Sequence, residues 1–152
     1  MILEKKSLRS ENSFIWKDML AVQLVNTKSY PKNVLVVEDD IIVQYAHQRH
    51  LEELGCQVDV ANNGLEAIKL ARKNRYSLIF MDIGLPDLNG IEVSKAIRYN
   101  KNKSQDTPII AITAHNVKEI RDKCLLVGVN KIITKPIAGD QFKELLKLYT
   151  VP

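Results

Sequence analysis

Short apolar runs in this sequence are followed at once by side chains that can carry out chemistry. Acids follow the first and third runs, a hydroxyl follows the fourth and a lysine–proline pair follows the fifth: Glu38, Asp39, Asp40, Asp82, Thr113, Lys135 and Pro136. Each has a structural explanation when taken alone. An acid after a strand often caps the next helix, as we expect for Asp40, and a lysine–proline pair often marks a turn. Their joint occurrence favours one functional site.

Three of these acids would repel one another if the fold brought them together. Glu38, Asp39 and Asp82 within a few ångström would raise one another's proton affinity and destabilise the protein. Oxygen ligands suit Mg²⁺, which keeps several waters and can therefore also bind phosphate oxygens. A carboxylate held there can attack phosphorus and form an acyl phosphate, while a lysine and a hydroxyl offset charge on the phosphoryl oxygens. The pattern therefore indicates Mg²⁺-dependent phosphoryl chemistry.

The elements that must position these residues follow from the apolar periodicity. Continuous apolar runs, typical of strands buried on both faces of a parallel sheet, occupy 34–37, 78–81 and 109–112, with shorter candidates at 58–60 and 129–133. Helical spacing predicts helices over 41–54, 64–74, 90–99, 116–127 and 139–149, the first of them ended by Gly55. Five alternations of strand and helix predict a doubly wound α/β fold. It would have a five-stranded parallel sheet, helices on both faces and ligands at the carboxyl ends of the strands.

The length of 152 residues fits one domain with a modest extension. The alternating pattern occupies 33–150, and residues 1–32 are expected to be an N-terminal extension or linker. The first residues lack the apolar core of a secretory signal, and no apolar run approaches the ~20 residues of a membrane span. We therefore expect a cytoplasmic protein without membrane insertion, in which Cys56 and Cys124 are reduced.

The net charge of +4 does not indicate a nucleic-acid partner. Residues 1–33 contain six of the 22 basic residues and only three of the 18 acidic residues. The predicted domain is therefore nearly neutral and lacks the basic surface that binds phosphate backbones. We expect no nucleic-acid binding.

Four stretches of the chain resemble the signature stretches of response-regulator receiver domains. They lie at 36–40 (VVEDD), 81–90 (MDIGLPDLNG), 112–114 (ITA) and 134–136 (TKP). The resemblance spans about residues 33–150 and is greatest to receivers of hybrid sensor histidine kinases. It implies a flavodoxin-like topology and a role in a two-component phosphorelay, with a sensor histidine kinase or a histidine phosphotransfer protein as partner.

The resemblance also implies a role for each site residue. Asp82 would accept the phosphoryl group, and Glu38, Asp39, Asp82 and the backbone carbonyl of Gly84 would hold Mg²⁺. Thr113 and the backbone amide of Ala114 would bind the phosphoryl group, Lys135 would pair with Asp82 or that group, and the Lys135–Pro136 peptide would be cis. Such a protein is a signalling receiver rather than an enzyme, limited to self-catalysed phosphoryl transfer and slow autodephosphorylation.

Some positions depart from common members of that family. Ile132 stands where an aromatic residue is usual, so rotamer coupling between that position and Thr113 is in doubt. Gly84 and His115 occupy positions that tune the lifetime of the phosphoryl group in the family. His47 and His50 lie three residues apart on the first predicted helix, and for them we favour a partly buried or surface role over a metal pair.

Two other functions remain open at this point. A Mg²⁺-dependent aspartate-nucleophile phosphohydrolase of the haloacid-dehalogenase type also uses a strand-end aspartate, a hydroxyl and a lysine. It would normally carry a second acid two residues after the nucleophile, where this chain has Gly84. A flavin-binding module would need a phosphate-binding loop after the first strand, and none is evident. The sequence leaves the oligomeric state open, as well as whether the receiver stands alone or belongs to a longer hybrid kinase.

Overall fold

Five strands and five helices alternate along the part of the chain that the structure, a computed structural model, describes, residues 32–150. In chain order they are β1 (Asn33–Val37), α1 (Ile41–Glu53), β2 (Gln57–Ala61), α2 (Gly64–Lys73), β3 (Leu78–Asp82), α3 (Gly90–Tyr99), β4 (Ile109–Thr113), α4 (Val117–Leu126), β5 (Lys131–Thr134) and α5 (Gly139–Tyr149). The predicted elements are confirmed. The prediction of an extension or linker concerns residues 1–31, which lie outside the described residues, and Lys32, which directly precedes β1.

The five strands form one parallel sheet in the order β2-β1-β3-β4-β5. Because alternate residues of a strand point to opposite faces, β1 supplies Val34 and Val36 to one apolar cluster and Leu35 and Val37 to another. The first cluster packs against α1 and α5, and the second packs against α2, α3 and α4. The predicted doubly wound fold, with helices on both faces of the sheet, is confirmed.

Glycines end two of the helices in the same way. Gly55 after α1 and Gly128 after α4 both have positive φ, +88° and +93°. After α1, the N–H of Cys56 bonds the carbonyl of Leu51, and after α4 the N–H of Val129 bonds the carbonyl of Cys124. These are the bonds of a Schellman motif, which favours glycine because its left-handed residue has no Cβ. The prediction for Gly55 is confirmed.

The fifth strand begins later than the sequence indicated. The apolar run predicts a strand from Val129, but the strand begins at Lys131. Val129 is instead buried as part of the turn that ends α4, and the N–H of Asn130 bonds the carbonyl of Ile109 on β4. A helix-ending turn buries an apolar residue as a strand does, so composition alone does not separate the two.

Two further predictions concern the cysteines and the membrane. Cys56 and Cys124 are both buried and unbridged, as expected. Among residues 32–150, no helix has the length and apolar character needed to cross a bilayer.

Candidate functional site

Three carboxylates meet at the carboxyl edge of the sheet, where β1 and β3 end side by side. Val37 pairs with Met81, so the residues that follow them, Glu38 and Asp82, lie next to each other. One carboxylate oxygen from each of Glu38, Asp39 and Asp82 lies within 4.8 Å of the others. Glu38 is 1% exposed and Asp82 is 4% exposed, whereas Asp39 faces solvent. The sequence-predicted acids are thus brought together.

A lysine from the far side of β4 reaches the same acids. Lys135 follows β5, and its backbone N–H bonds the carbonyl of Thr113 at 2.9 Å. Its Nζ lies 3.1 Å from Asp82 Oδ2 and 2.9 Å from Glu38 Oε2. The next peptide, Lys135–Pro136, is cis, as the resemblance implied. Lys135 was expected beside Asp82, but its second ion pair with Glu38 was not.

The charges of this cluster shift the pKa values of Glu38 and Lys135. Burial raises the pKa of Glu38, and the nearby charge of Asp82 adds to this, against the opposing effects of Lys135 and the Asp40 N–H. Burial alone would lower the pKa of Lys135, but its close contacts with the carboxylates of Glu38 and Asp82 outweigh burial and raise it. Lys135 is therefore a permanent cation, and one cation does not balance three acids.

The cluster suits a divalent cation of the Mg²⁺ type. Lys135 Nζ approaches Glu38 Oε2 without hydrogen-bond geometry, so this buried oxygen accepts no hydrogen bond from the described residues. Ligand oxygens around one Mg²⁺ lie roughly 3–4 Å apart, a spacing that three oxygens within 4.8 Å reach by small side-chain rotations. An all-oxygen donor set, with a buried oxygen that accepts no hydrogen bond and has only the Lys135 ion pair among the described residues, fits such an ion, which Glu38, Asp39 and Asp82 could hold.

The remaining predicted residues lie at the end of β4 and in the segments that follow β3 and β4. The N–H of Gly84 donates to Asp82 Oδ1 at 3.0 Å, while its proposed role as a carbonyl ligand stays a prediction. Thr113 is buried at the end of β4, and its Oγ1 accepts the N–H of His115 at 3.0 Å. Ala114 lies exposed between them. His115 is exposed too, in the loop before α4.

Two other residues singled out in the sequence, Asp40 and Ile132, make contacts within the fold, and the predicted capping role of Asp40 is confirmed. Asp40 caps α1, since its Oδ1 accepts the N–H groups of Ile42 at 2.9 Å and Val43 at 3.2 Å. Ile132, on β5, is partly buried and packs against the cluster formed with α2, α3 and α4.

The two histidines of α1 both pack against one phenylalanine of α5. His47 is 6% exposed and packs edge-on against Phe142 of α5, with ring centroids 5.2 Å apart. His50 is exposed and stacks on the same ring at 5.9 Å. Burial, together with the charges of Lys135 and His50, lowers the pKa of His47 to about 4. His47 is thus buried and His50 lies at the surface, in line with the partly buried or surface role that the sequence favours.

Sequence reasoning missed two polar residues beside the site. Gln44 is buried on α1 and donates to the backbone carbonyl of Glu38, and Asp87 accepts backbone N–H groups from the start of α2. A signal for Gln44 was present, because it occupies a core-facing position of its helix, one turn before His47 and two before Leu51. Asp87 gave no such signal, because its partners lie more than 20 residues away along the chain.

Comparison with known protein families identifies the family of this chain. Residues 34–147 match the family described as the response regulator receiver domain. The chain belongs to this family. Both the expected family and the flavodoxin-like topology are confirmed, and the protein is a receiver domain of the kind found in two-component response regulators.

Similar proteins include both short response regulators and long kinases. The polar-differentiation response regulator DivK of Brucella anthropi is 36% identical over 78% of this chain and 96% of its own length. Probable histidine kinase 1 of Oryza sativa subsp. indica is 30% identical over 78% of this chain, which spans only 15% of the kinase. The chain thus corresponds to nearly all of one relative and a small part of the other.

Solved receiver structures resemble the chain closely. The receiver domain of a Pseudomonas aeruginosa sensor histidine kinase has a TM-score of 0.73 and 31% identity, covering 80% of this chain and 98% of its own. That structure holds a magnesium ion coordinated in its active site cleft. A chemotaxis response regulator of Vibrio cholerae has a TM-score of 0.73 and 28% identity, covering 79% of this chain and 99% of its own.

Proposed function

We propose that this receiver accepts a phosphoryl group on Asp82 from a phosphohistidine in a two-component phosphorelay, and that phosphorylation changes its affinity for a partner. The observation that carries the proposal is the buried carboxylate of Asp82, held 3.1 Å from Lys135 Nζ beside two further acids. Glu38, Asp39, Asp82 and the backbone carbonyl of Gly84 would hold Mg²⁺. The magnesium in the similar Pseudomonas receiver supports this assignment. The donor would be a sensor histidine kinase or a histidine phosphotransfer protein. Transfer from the donor's histidine to Asp82, rather than the reverse, is part of the proposal.

The residues of the chain prepare Asp82 for attack. Lys135 and the Gly84 N–H each hold one carboxylate oxygen, so the group is oriented before the donor arrives. An oxygen of Asp82 attacks phosphorus in line with the phosphohistidine nitrogen. The oxygen–phosphorus bond forms as the phosphorus–nitrogen bond breaks, and the imidazole leaves with the electron pair and takes up a proton. Bound Mg²⁺ would supply charge stabilisation at the phosphoryl oxygens.

Phosphorylation of Asp82 would then change the structure at the end of β4. A phosphoryl dianion needs donors, and we propose the Thr113 hydroxyl and the Ala114 amide. In the structure, Thr113 Oγ1 accepts the His115 N–H, so inward motion of Thr113 would pull on the loop that begins α4. Charge-assisted hydrogen bonds are worth about 1.5–3 kcal/mol each, enough to bias a loop between two states. Ile132 has a stiff χ1 and would move less than an aromatic residue at its position.

The surface beside the site is suited to a protein donor. Three apolar side chains near the start of α1 face solvent, Ile41 and Ile42 at 77% exposure and Tyr45 at 64%. This helix begins directly after the acidic residues, so a partner packed on it would be close to Asp82. We propose that the phosphohistidine protein docks here.

Phosphorylation with a small donor tests the function. Acetyl phosphate or phosphoramidate with Mg²⁺ should add one acid-stable, base-labile phosphoryl group, measured by intact mass. Asp82→Asn should abolish labelling because an amide is a poor nucleophile, while Asp122→Asn, an exposed acid on α4, should label like wild type. Labelling of Asp82→Asn at the wild-type rate would reject Asp82 as the acceptor.

Nothing in the site favours the phosphohydrolase alternative. The position where such an enzyme carries its second acid is Gly84, whose backbone N–H is bonded to Asp82. We also propose that the protein slowly removes its own phosphoryl group and acts on no other substrate. A cytoplasmic location is part of the same proposal.

A further inference from the structure

Hydrogen bonds join the start of α1 to the turn between β2 and α2. Both N–H groups of the Gln44 side-chain amide are used, one by the backbone carbonyl of Glu38 and the other by Asn62 Oδ1 at 2.7 Å. Gln44 is 8% exposed, so water competes little for these bonds. The buried side-chain amide of Gln44 therefore anchors the loop that carries Glu38 and Asp39.

From Asn62 the connection continues into α2. The backbone N–H and the side-chain amide of Asn62 both donate to Glu66 Oε2, at 2.8 Å and 3.1 Å. Asn63 caps the helix by accepting the Glu66 N–H at 2.9 Å. The first turn of α2 is thus tied to Gln44 through a single asparagine.

Asp87 ties the same helix start to the loop that follows Asp82. Its Oδ1 accepts the N–H of Gly64 at 2.8 Å, and its Oδ2 accepts that of Leu65 at 3.0 Å. These first N–H groups of a helix have no partner within it. The bond from Gly64 contributes most to lowering the pKa of Asp87, so the carboxylate stays charged. A Cβ on Gly64 would lie 2.6 Å from Val93 Cγ2, which shows how closely α2 approaches α3 here.

The loop that Asp87 holds is also fixed at both ends. The N–H of Gly90 donates to the carbonyl of Ile83 at 2.9 Å, and a Cβ on Gly90 would overlap the carbonyl oxygen of Asp82. Between these anchor points lies Gly84, which donates to Asp82 Oδ1. With its ends closed against β3 and its middle bonded to α2, the loop has little freedom to carry Gly84 away from the acids.

We propose that Gln44 and Asp87 are positioning residues that hold the loops bearing Glu38, Asp39 and Gly84 at the spacing one cation requires, using the start of α2 as a common anchor. The inference rests on the proposed function, because it takes the acidic cluster to be the Mg²⁺ site. Neither side chain needs to touch the ion. Removing a hydrogen bond that orients metal ligands typically weakens metal binding about 10- to 100-fold.

Metal binding measured without any phosphoryl donor tests the proposal. We would titrate Mg²⁺ by calorimetry into wild type, Gln44→Leu and Asp87→Ala, and measure unfolding by urea for each. Gln48→Leu is a matched control, because Gln48 lies one turn further along α1 and its side chain, within residues 32–150, bonds only the exposed Glu52. Glu92→Ala removes one exposed acid from the first turn of α3 and controls for the charge lost at Asp87.

We expect Gln44→Leu and Asp87→Ala to raise the Mg²⁺ dissociation constant roughly tenfold or more, with both controls within about twofold of wild type. Saturating Mg²⁺ should restore the labelling rate of both variants, because the ion itself can draw the loops together. If Asp87→Ala does not fold, Asp87→Asn decides the matter, since it keeps one acceptor oxygen and should give a smaller loss of affinity.

A purely structural role gives a different result. Variants that unfold at lower urea but bind Mg²⁺ as wild type does would overturn the inference and leave the proposed function intact. If wild type binds no Mg²⁺, the proposed site and this inference fall together. If wild type binds Mg²⁺ but Asp82→Asn is labelled as well as wild type, the phosphoacceptor assignment fails while positioning of the metal site can still be judged by calorimetry.

Discussion

Replacing His47 should remove a large part of the pH dependence of stability. His47 lies buried against Phe142, and its Nδ1 has no hydrogen-bond partner among the described residues. The charged or titratable groups that act on His47 are Lys135, His50 and Asp82. The first two disfavour protonation of His47, and Asp82 favours it. Burial is the largest effect, because protonation would place a cation in an apolar contact between α1 and α5.

The size of the effect follows from the pKa difference. The pKa of His47 falls from 6.5, the usual value, to about 4 in the folded protein. At about 1.36 kcal/mol per pKa unit, this difference corresponds to ~3 kcal/mol. Because the unfolded chain binds the proton more tightly, this stability is complete above the unfolded pKa and is lost as the pH falls towards the folded pKa. Between about pH 7.5 and about pH 5 the loss should be ~2 kcal/mol.

Urea denaturation at these two pH values, with a chelator present, measures the difference. Wild type should lose ~2 kcal/mol more than His47→Leu on acidification. At the higher pH the leucine variant should be at least as stable, because it removes a buried nitrogen without a partner. His115→Leu replaces an exposed histidine in the loop after β4, and this variant should behave as wild type does. Equal losses in wild type and His47→Leu would refute the reasoning, since the acid sensitivity would then arise elsewhere.

Other predictions concern the site itself. Asp39→Ala should weaken Mg²⁺ binding by calorimetry yet raise stability in chelator, because it removes like-charge repulsion; a wild-type titration would contradict a shared site. Lys135→Met should lower stability in chelator by about 3 kcal/mol, since it leaves Glu38 and Asp82 unpaired, and Mg²⁺ should recover part of the loss by urea denaturation. Thr113→Ala should keep labelling but reduce the amide shifts in α4 that beryllofluoride induces, and wild-type shifts would contradict the readout. The protein should show no sequence-dependent, salt-resistant gel shift with duplex DNA.

The sequence predicted the fold and the acidic cluster because both depend on local patterns. Each buried strand is a continuous apolar run, and Gly55 and Gly128 end helices where only a left-handed residue fits. Once the strands are parallel, their carboxyl ends must share an edge, so Glu38 and Asp82 meet whatever the detailed packing. The arrangement follows from strand order and needs no side-chain geometry.

What the sequence did not predict depends on contacts between distant segments. Lys135 reaches Glu38 as well as Asp82 because its side chain spans the width of β4, a distance that its neighbours in the chain do not encode. Asp87 caps a helix that begins 23 residues earlier. Val129 is buried, as an apolar residue of a strand would be, but it lies in the turn that ends α4.

The charge balance of the site explains why phosphorylation should require a metal. Three carboxylates and one ammonium leave a net charge of about −2 at the site, and burial of Glu38, with a smaller contribution from the charge of Asp82, raises the pKa of Glu38. A divalent cation would cancel this charge, whereas a phosphoryl dianion in place of the Asp82 carboxylate would add one further negative charge. With the cation present, the phosphorylated site would carry about −1, which the Thr113 hydroxyl and the Ala114 amide can stabilise by hydrogen bonds. Without the cation the same site would carry about −3, so removal of the metal should stop phosphoryl transfer even though Asp82 and Lys135 are in place.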